Sequence, residues 1–206
     1  MPNQVQSLAS SLSFTPLTAE SWANCRHQDA VAELMIDAAA EYYQSIPMPV
    51  SQLTQLVQSQ VSAPGTELES VSVLCDGEDI VGAVAVCPLL ELDRRRQAGL
   101  APVLRKLSAA DRALALRRIK GHAEQIAPAQ GDGWYLARFA VSPGLRRRGI
   151  GTILLQFVLR RIGNEKPIYL HVAERNLAAV NLYSKEGFRR LSDGTHAFGF
   201  YARWAV

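Results

Sequence analysis

The sequence predicts an α/β domain, one sheet flanked by helices. Three observations predict it: β-rich runs alternating with segments of helical period, a hairpin signal at Asp76-Gly77, and a glycine-punctuated strand-turn-helix passage over residues 134–163. With 206 residues, 48% of them hydrophobic, the chain reads as a single domain, 1–206, able to bury a core without disulfides or metal.

The elements follow in order. Residues 1–11 are polar and are expected to form a loose tail, and a first strand runs over 12–17. Residues 29–45 carry Val31, Leu34, Met35, Ala38, Ala39 and Tyr42 at helical spacing until Ile46-Pro47-Met48-Pro49 stops them. A second helix over 51–61 ends before Pro64-Gly65. Runs 68–75 and 79–87 are strands joined through Asp76-Gly77, a pair suited to a tight hairpin. Residues 88–133 make an unusually long connection with helical period over 98–126, read as an inserted helical pair or one bent helix. Its basic residues, from Arg94, Arg95 and Arg96 to Lys120, read as a solvated face, with an acidic-partner site as the rival.

Beyond the insertion come a strand over 134–141 and a helix over 149–163, whose Ile150, Ile153, Leu154, Phe157 and Val158 share one face. A strand over 167–173 leads to a helix over 176–186, bounded by Asn176 as N-cap and Gly187 just past its end. Short strands near 188–191 and 196–204 close the chain. There is no internal repeat or second-domain linker.

Charge and cysteine usage exclude several function classes. A net charge of +3 suits anionic ligands but is too small to imply nucleic acid, and aromatic stacking motifs are lacking. No apolar run is long enough to span a membrane, and the polar start has neither the basic flank nor the apolar core of a secretory leader. Cys25, Cys75 and Cys87 are odd in number and unclustered, which argues against a disulfide framework and a metal site. A cytoplasmic protein without metal is expected. Monomer and homodimer stay equally open.

Arg146-Arg147-Arg148-Gly149-Ile150-Gly151-Thr152 carries the most information. It opens a helix after a strand and a Ser142-Pro143-Gly144 turn, so backbone N–H groups, the helix N-terminus and the arginines converge on an anion. A nucleoside-triphosphate loop would need a lysine after its last glycine, and Thr152 stands there. A dinucleotide fingerprint would need a third glycine where Leu154 stands. Some thirty residues on comes Asn176-Leu177-Ala178-Ala179-Val180-Asn181-Leu182-Tyr183-Ser184-Lys185-Glu186-Gly187-Phe188, with Asn176, Ala179, Val180 and Tyr183 on one helical face.

Together these two motifs resemble the acyl-CoA-binding core of the GCN5-related N-acetyltransferase (GNAT) family, a resemblance covering residues 134–191. It implies a central mixed, mostly antiparallel twisted sheet of six to seven strands flanked by helices, here with a helical insertion between strands 3 and 4. It also implies acetyl-CoA as co-substrate and an amine acceptor. Backbone groups of Phe139, Ala140 and Val141 would meet the pantetheine amides, and the amides from Arg146 to Thr152 would hold the pyrophosphate, with Arg147 or Arg148 on another phosphate. Asn176 would cap its helix or touch the cofactor. Tyr183 would protonate the departing thiolate.

Many relatives place a glutamate on the strand matching 134–141, which here contains no carboxylate. Glu174 is the substitute expected as general base, with a water chain as alternative, and His171 is expected to be structural. Tyr42, Tyr43 and Met48 are candidates for the acceptor wall. The insertion is similar to that of puromycin-modifying acetyltransferases, which favours a small-molecule amine. The alternatives are a protein α-amine or lysine, or a non-catalytic acyl-CoA-binding regulatory module.

Overall fold

A computed structural model describes residues 11–163 and 165–204, so the expected tail lies outside the described residues except for Ser11. The order of elements is β1 (Leu12–Pro16), α1 (Ala19–Ala23), α2 (Gln28–Asp37), α3 (Ala40–Gln44), α4 (Val50–Gln58), β2 (Val71–Asp76), β3 (Asp79–Pro88), α5 (Leu92–Lys106), α6 (Ala109–Ala123), β4 (Trp134–Val141), α7 (Ile150–Ile162), β5 (Ile168–Ala173), α8 (Leu177–Lys185), β6 (Arg189–Arg190) and β7 (Phe198–Arg203). One seven-stranded sheet has the order β1-β2-β3-β4-β5-β7-β6. Every neighbouring pair is antiparallel except β4 and β5, which α7 connects as parallel strands. The sheet is thus mixed and mostly antiparallel, as the sequence implied.

Apolar periodicity decides which face each helix covers. Val31, Leu34 and Met35 of α2 pack with Leu53, Leu56 and Val57 of α4 on one side of the sheet, beside Val103 of α5 and Ala115 of α6. Ile150, Ile153, Leu154 and Val158 of α7 pack on the other side, against Leu74, Val84, Leu136, Leu170 and Tyr183. Burying such a side chain contributes about 1.5–3 kcal/mol, so these two layers fix the frame of the sheet.

One helical reading changes and another is narrowed. The single helix expected over 29–45 breaks at Ala38–Ala39, where Ala39 adopts φ −135° and ψ 41°. No glycine or proline marks the break. Ion pairs hold its two sides, Asp37 to Arg146 and Glu41 to Arg175. The connection over 88–133 resolves into a pair, α5 and α6, because Ser108 caps α6 by accepting from the amide of Asp111 at 3.1 Å. The basic face is not wholly solvated: Arg95 and Arg96 turn inward, to Glu69 and Glu91 and to Glu67 respectively.

Two features of β4 open the site. Its register with β3 slips between Ala85 and Val86, so that Ala137 is left out between Leu136 and Arg138. Such a bulge re-aims the side chains that follow. On its other edge β4 pairs with β5 only at Trp134↔Ile168 and Tyr135↔Tyr169. Beyond those residues the strands splay.

Candidate active site

The splay opens a cavity of about 800 Å³ that reaches from the turn before α7 to the inserted helix pair. At one end lies the arginine turn. Arg147 has φ 63° and Gly149 has φ 87°, both in the left-handed region, and α7 begins at Ile150. Left-handed residues followed by right-handed ones turn successive N–H groups to one side, a geometry that binds anions. Among the described residues the amides of Arg147, Arg148 and Gly149 make no hydrogen bond, and those of the first turn of α7 have no residue behind them in the helix to accept. Gly151 packs closely as well, since a Cβ there would lie 3.3 Å from Leu182 and 3.8 Å from Val141.

The arginines divide. Arg146 is already engaged: its Nε donates to the carbonyl of Val141 at 3.1 Å and its guanidinium pairs with Asp37. Arg146, Arg147, Gly149, Gly151 and Thr152 line the cavity, whereas the Arg148 side chain is exposed away from it and Ile150 is buried under α7. For those two residues only the backbone remains as a ligand group. Phe139, Ala140 and Val141 line the cavity along the unpaired edge of β4, with Ala140 also buried in the core.

Tyr183 stands across the splay. Asn176 positions it by capping α8, its side chain accepting from the amide of Ala179 at 3.2 Å, and Asn176 itself lines the cavity. The Tyr183 ring packs edge-on against Phe139 at 6.0 Å and Phe188 at 5.5 Å. Its hydroxyl has no hydrogen-bond partner among the described residues. Burial, with a smaller effect from Tyr135, pushes the phenol above its ordinary value, so Tyr183 keeps its proton near pH 7.

Two expectations fail on placement. Glu174 is not on the cavity wall. Just past β5, it is held instead by Arg190, with which it pairs at 2.7 Å, and it accepts from the Tyr201 hydroxyl at 3.2 Å. It is packed so tightly over Gly199 that a Cβ there would lie 1.9 Å from its Oε1. Met48 also stays off the wall and packs, partly buried, against the core. Tyr42 and Tyr43 do line the cavity, stacked edge-on at 5.2 Å, and burial pushes both phenols up.

Other groups at this end escaped the sequence reading. Arg138 of β4, 8% exposed, pairs at 2.8 Å with Glu67, which is 6% exposed and also pairs with Arg96 at 3.2 Å. Removing one member of so buried an ion pair typically costs about 3–5 kcal/mol. A lone arginine in the apolar run WYLARFAV was the available signal, because a charge there requires a partner. His171 is structural: its ring nitrogens meet the Tyr135 hydroxyl at 2.9 Å and the carbonyl of Ala127 at 2.7 Å, and burial lowers it to about 4. His122 of α6 lines the cavity too. No cluster of metal-ligating residues occurs among the described residues.

The described residues include no helix long and apolar enough to cross a membrane. The protein-family model of the acetyltransferase (GNAT) family matches residues 32–188. An N-alpha-acetyltransferase of Sulfurisphaera tokodaii is 36% identical over 67 residues, 31% of this chain and 40% of that protein. The peptidyl-lysine N-acetyltransferase YiaC of Escherichia coli is 39% identical over 57 residues, 28% of this chain and 37% of that one. The chain therefore spans less than half the length of these curated relatives. A solved structure described as histone acetyltransferase HPA2 and related acetyltransferase, from Corynebacterium glutamicum, superposes with a TM-score of 0.61 at 20% identity, covering 95% of this chain and 97% of that one. That likeness shows the same fold. With three quarters of its length inside the family model, the chain belongs to the acetyltransferase (GNAT) family.

Proposed function

We propose that this protein transfers an acetyl group from acetyl-CoA to a primary amine by direct attack, and that the acceptor is a small molecule. One observation carries the reading: unclaimed amides at the start of α7 and the untied hydroxyl of Tyr183 face one cavity, opened by the splay of β4 from β5. The turn fits a pyrophosphate, and the unpaired edge of β4 fits the amides of pantetheine. Acetyl-CoA supplies the activated thioester. The chain anchors its phosphates at Arg147 to Thr152, orients its arm along Phe139 to Val141, and holds a proton for the leaving sulfur on Tyr183.

The acceptor end supports a small molecule. Tyr42 and Tyr43 of α3, Gln60, and the inserted helices through Gly99, Val103 and Ile119 wall the cavity there. The position of this pair, between β3 and β4, is what the likeness to puromycin-modifying enzymes rests on. The names of the two relatives favour a second reading, a protein α-amine or lysine acceptor. Three free cysteines suit a cytoplasmic setting.

Thiol release from acetyl-CoA against a panel of small amines and peptides tests the reading. Turnover with a small amine, lost by about 10²–10⁴-fold in Tyr183→Phe with coenzyme affinity retained, is the expected result. Binding of acetyl-CoA without turnover on any amine leaves the regulatory-module reading instead.

A further inference from the structure

Acetyl transfer also requires a group that takes a proton from the attacking amine, and Glu174 is not at the cavity to do it. Each carboxylate on the wall is engaged: Glu67 by Arg138 and Arg96, Glu41 by Arg175, and Asp37 by Arg146. Both nitrogens of His171 are committed to Tyr135 and Ala127. His122 differs. Among the described residues its imidazole makes no hydrogen bond, and it packs edge-on to Phe198 at 5.1 Å and tilted to Tyr42 at 6.4 Å.

Its placement is specific. A second, more open hollow of about 450 Å³ lies outside the main cavity, and His122 and Glu41 are the two residues common to both walls. The helix end that carries it is pinned to the sheet, with the amide of Ala127 donating to Phe198 at 3.0 Å and that of Phe198 to Gln125 at 3.0 Å. Resting on the acetyl-transfer reading, we propose that His122 is the general base, taking the amine proton inside the cavity and releasing it to water in the outer hollow.

As the amine nitrogen bonds to the acetyl carbon, its proton passes to His122. The carbon–sulfur bond breaks with its electron pair on sulfur, which takes the proton of Tyr183. Water in the outer hollow accepts the proton from His122, and solvent restores that of Tyr183. Burial keeps the His122 ring below the ordinary histidine value, Glu41 of α3 opposes this, and Arg96 of α5 and Arg138 of β4 add to it. Arg118 of its own helix and Arg175 line the outer hollow with it. The ring is therefore neutral, and able to accept a proton, at pH 7.

The test uses His122→Gln and His122→Ala. In ligand-free wild type, the His122 ring followed by NMR is expected to titrate below 6.5, its ordinary value. Turnover of wild type should fall as pH drops through that midpoint. Both variants should lose at least about 10²-fold in kcat/KM at pH 7, keep their calorimetric affinity for acetyl-CoA, and lose that acidic limb. Added imidazole should restore part of the rate of His122→Ala. Unchanged rates and pH profiles in the variants overturn the proposal and leave acetyl transfer standing, with a water chain as base. So does loss of coenzyme affinity in step with rate, or a midpoint at or above the ordinary value. Absence of wild-type turnover on every amine removes acetyl transfer and this proposal together.

Discussion

At His171, burial outweighs a favourable hydrogen bond. The ring is lowered from 6.5 to about 4 because its charged form loses water, while its bond to the carbonyl of Ala127 opposes the shift. The unfolded chain therefore binds more protons between those values, and stability falls as pH drops from 6.5 to 4. The full loss is on the order of 3 kcal/mol. Urea unfolding at pH 7 and pH 4.5 should show it in wild type, and His171→Gln should flatten that dependence. An equally steep dependence in the variant would assign it to other groups. At the same scale, the place of Tyr183 on the cavity wall was legible because a thirteen-residue motif surrounds it, whereas the pairing of Glu174 with Arg190 and Tyr201 was not, because both partners come from later in the chain. Glu67 was invisible, because the partner of Arg138 comes from 71 positions earlier in the chain.

At the scale of elements, local chemistry and tertiary context contribute differently. The α5–α6 break has a local cause in Ser108 and Asp111, a cap three residues apart that decides for the helical pair over the bent helix. Ser108→Ala should lower stability by about 1 kcal/mol in chemical unfolding, with the fold unchanged. A neutral result would mean that packing of Val103, Leu107 and Ala115 alone sets the break. The α2–α3 break has no such local signal. It lies where Asp37 and Glu41 pair with the turn before α7 and the loop before α8, and where Tyr43 of α3 is buried in the core. Strands and the α7 and α8 boundaries were read to within about three residues, since glycine, proline and capping residues mark them.

At the scale of the molecule, the sheet order places the two motifs on either side of a single gap. The α7 crossover brings β5 alongside β4 for two residue pairs only, and the gap beyond them aligns the arginine turn, the edge of β4 and Tyr183. The end of the cavity at the arginine turn was legible because backbone geometry at glycines and caps follows from short motifs. The end at the inserted helices was not, because Arg138, Glu67, Gln60 and His122 line one cavity only once the insertion folds onto the bulged strand. The most direct measurement is calorimetric titration of the folded protein with acetyl-CoA and, separately, with acetyl-pantetheine, which lacks the pyrophosphate. Saturable uptake of one equivalent of acetyl-CoA, weakened strongly or lost without the phosphates, is predicted by a turn that grips them. No uptake of acetyl-CoA, or equal affinity for the phosphate-free thioester, would contradict it.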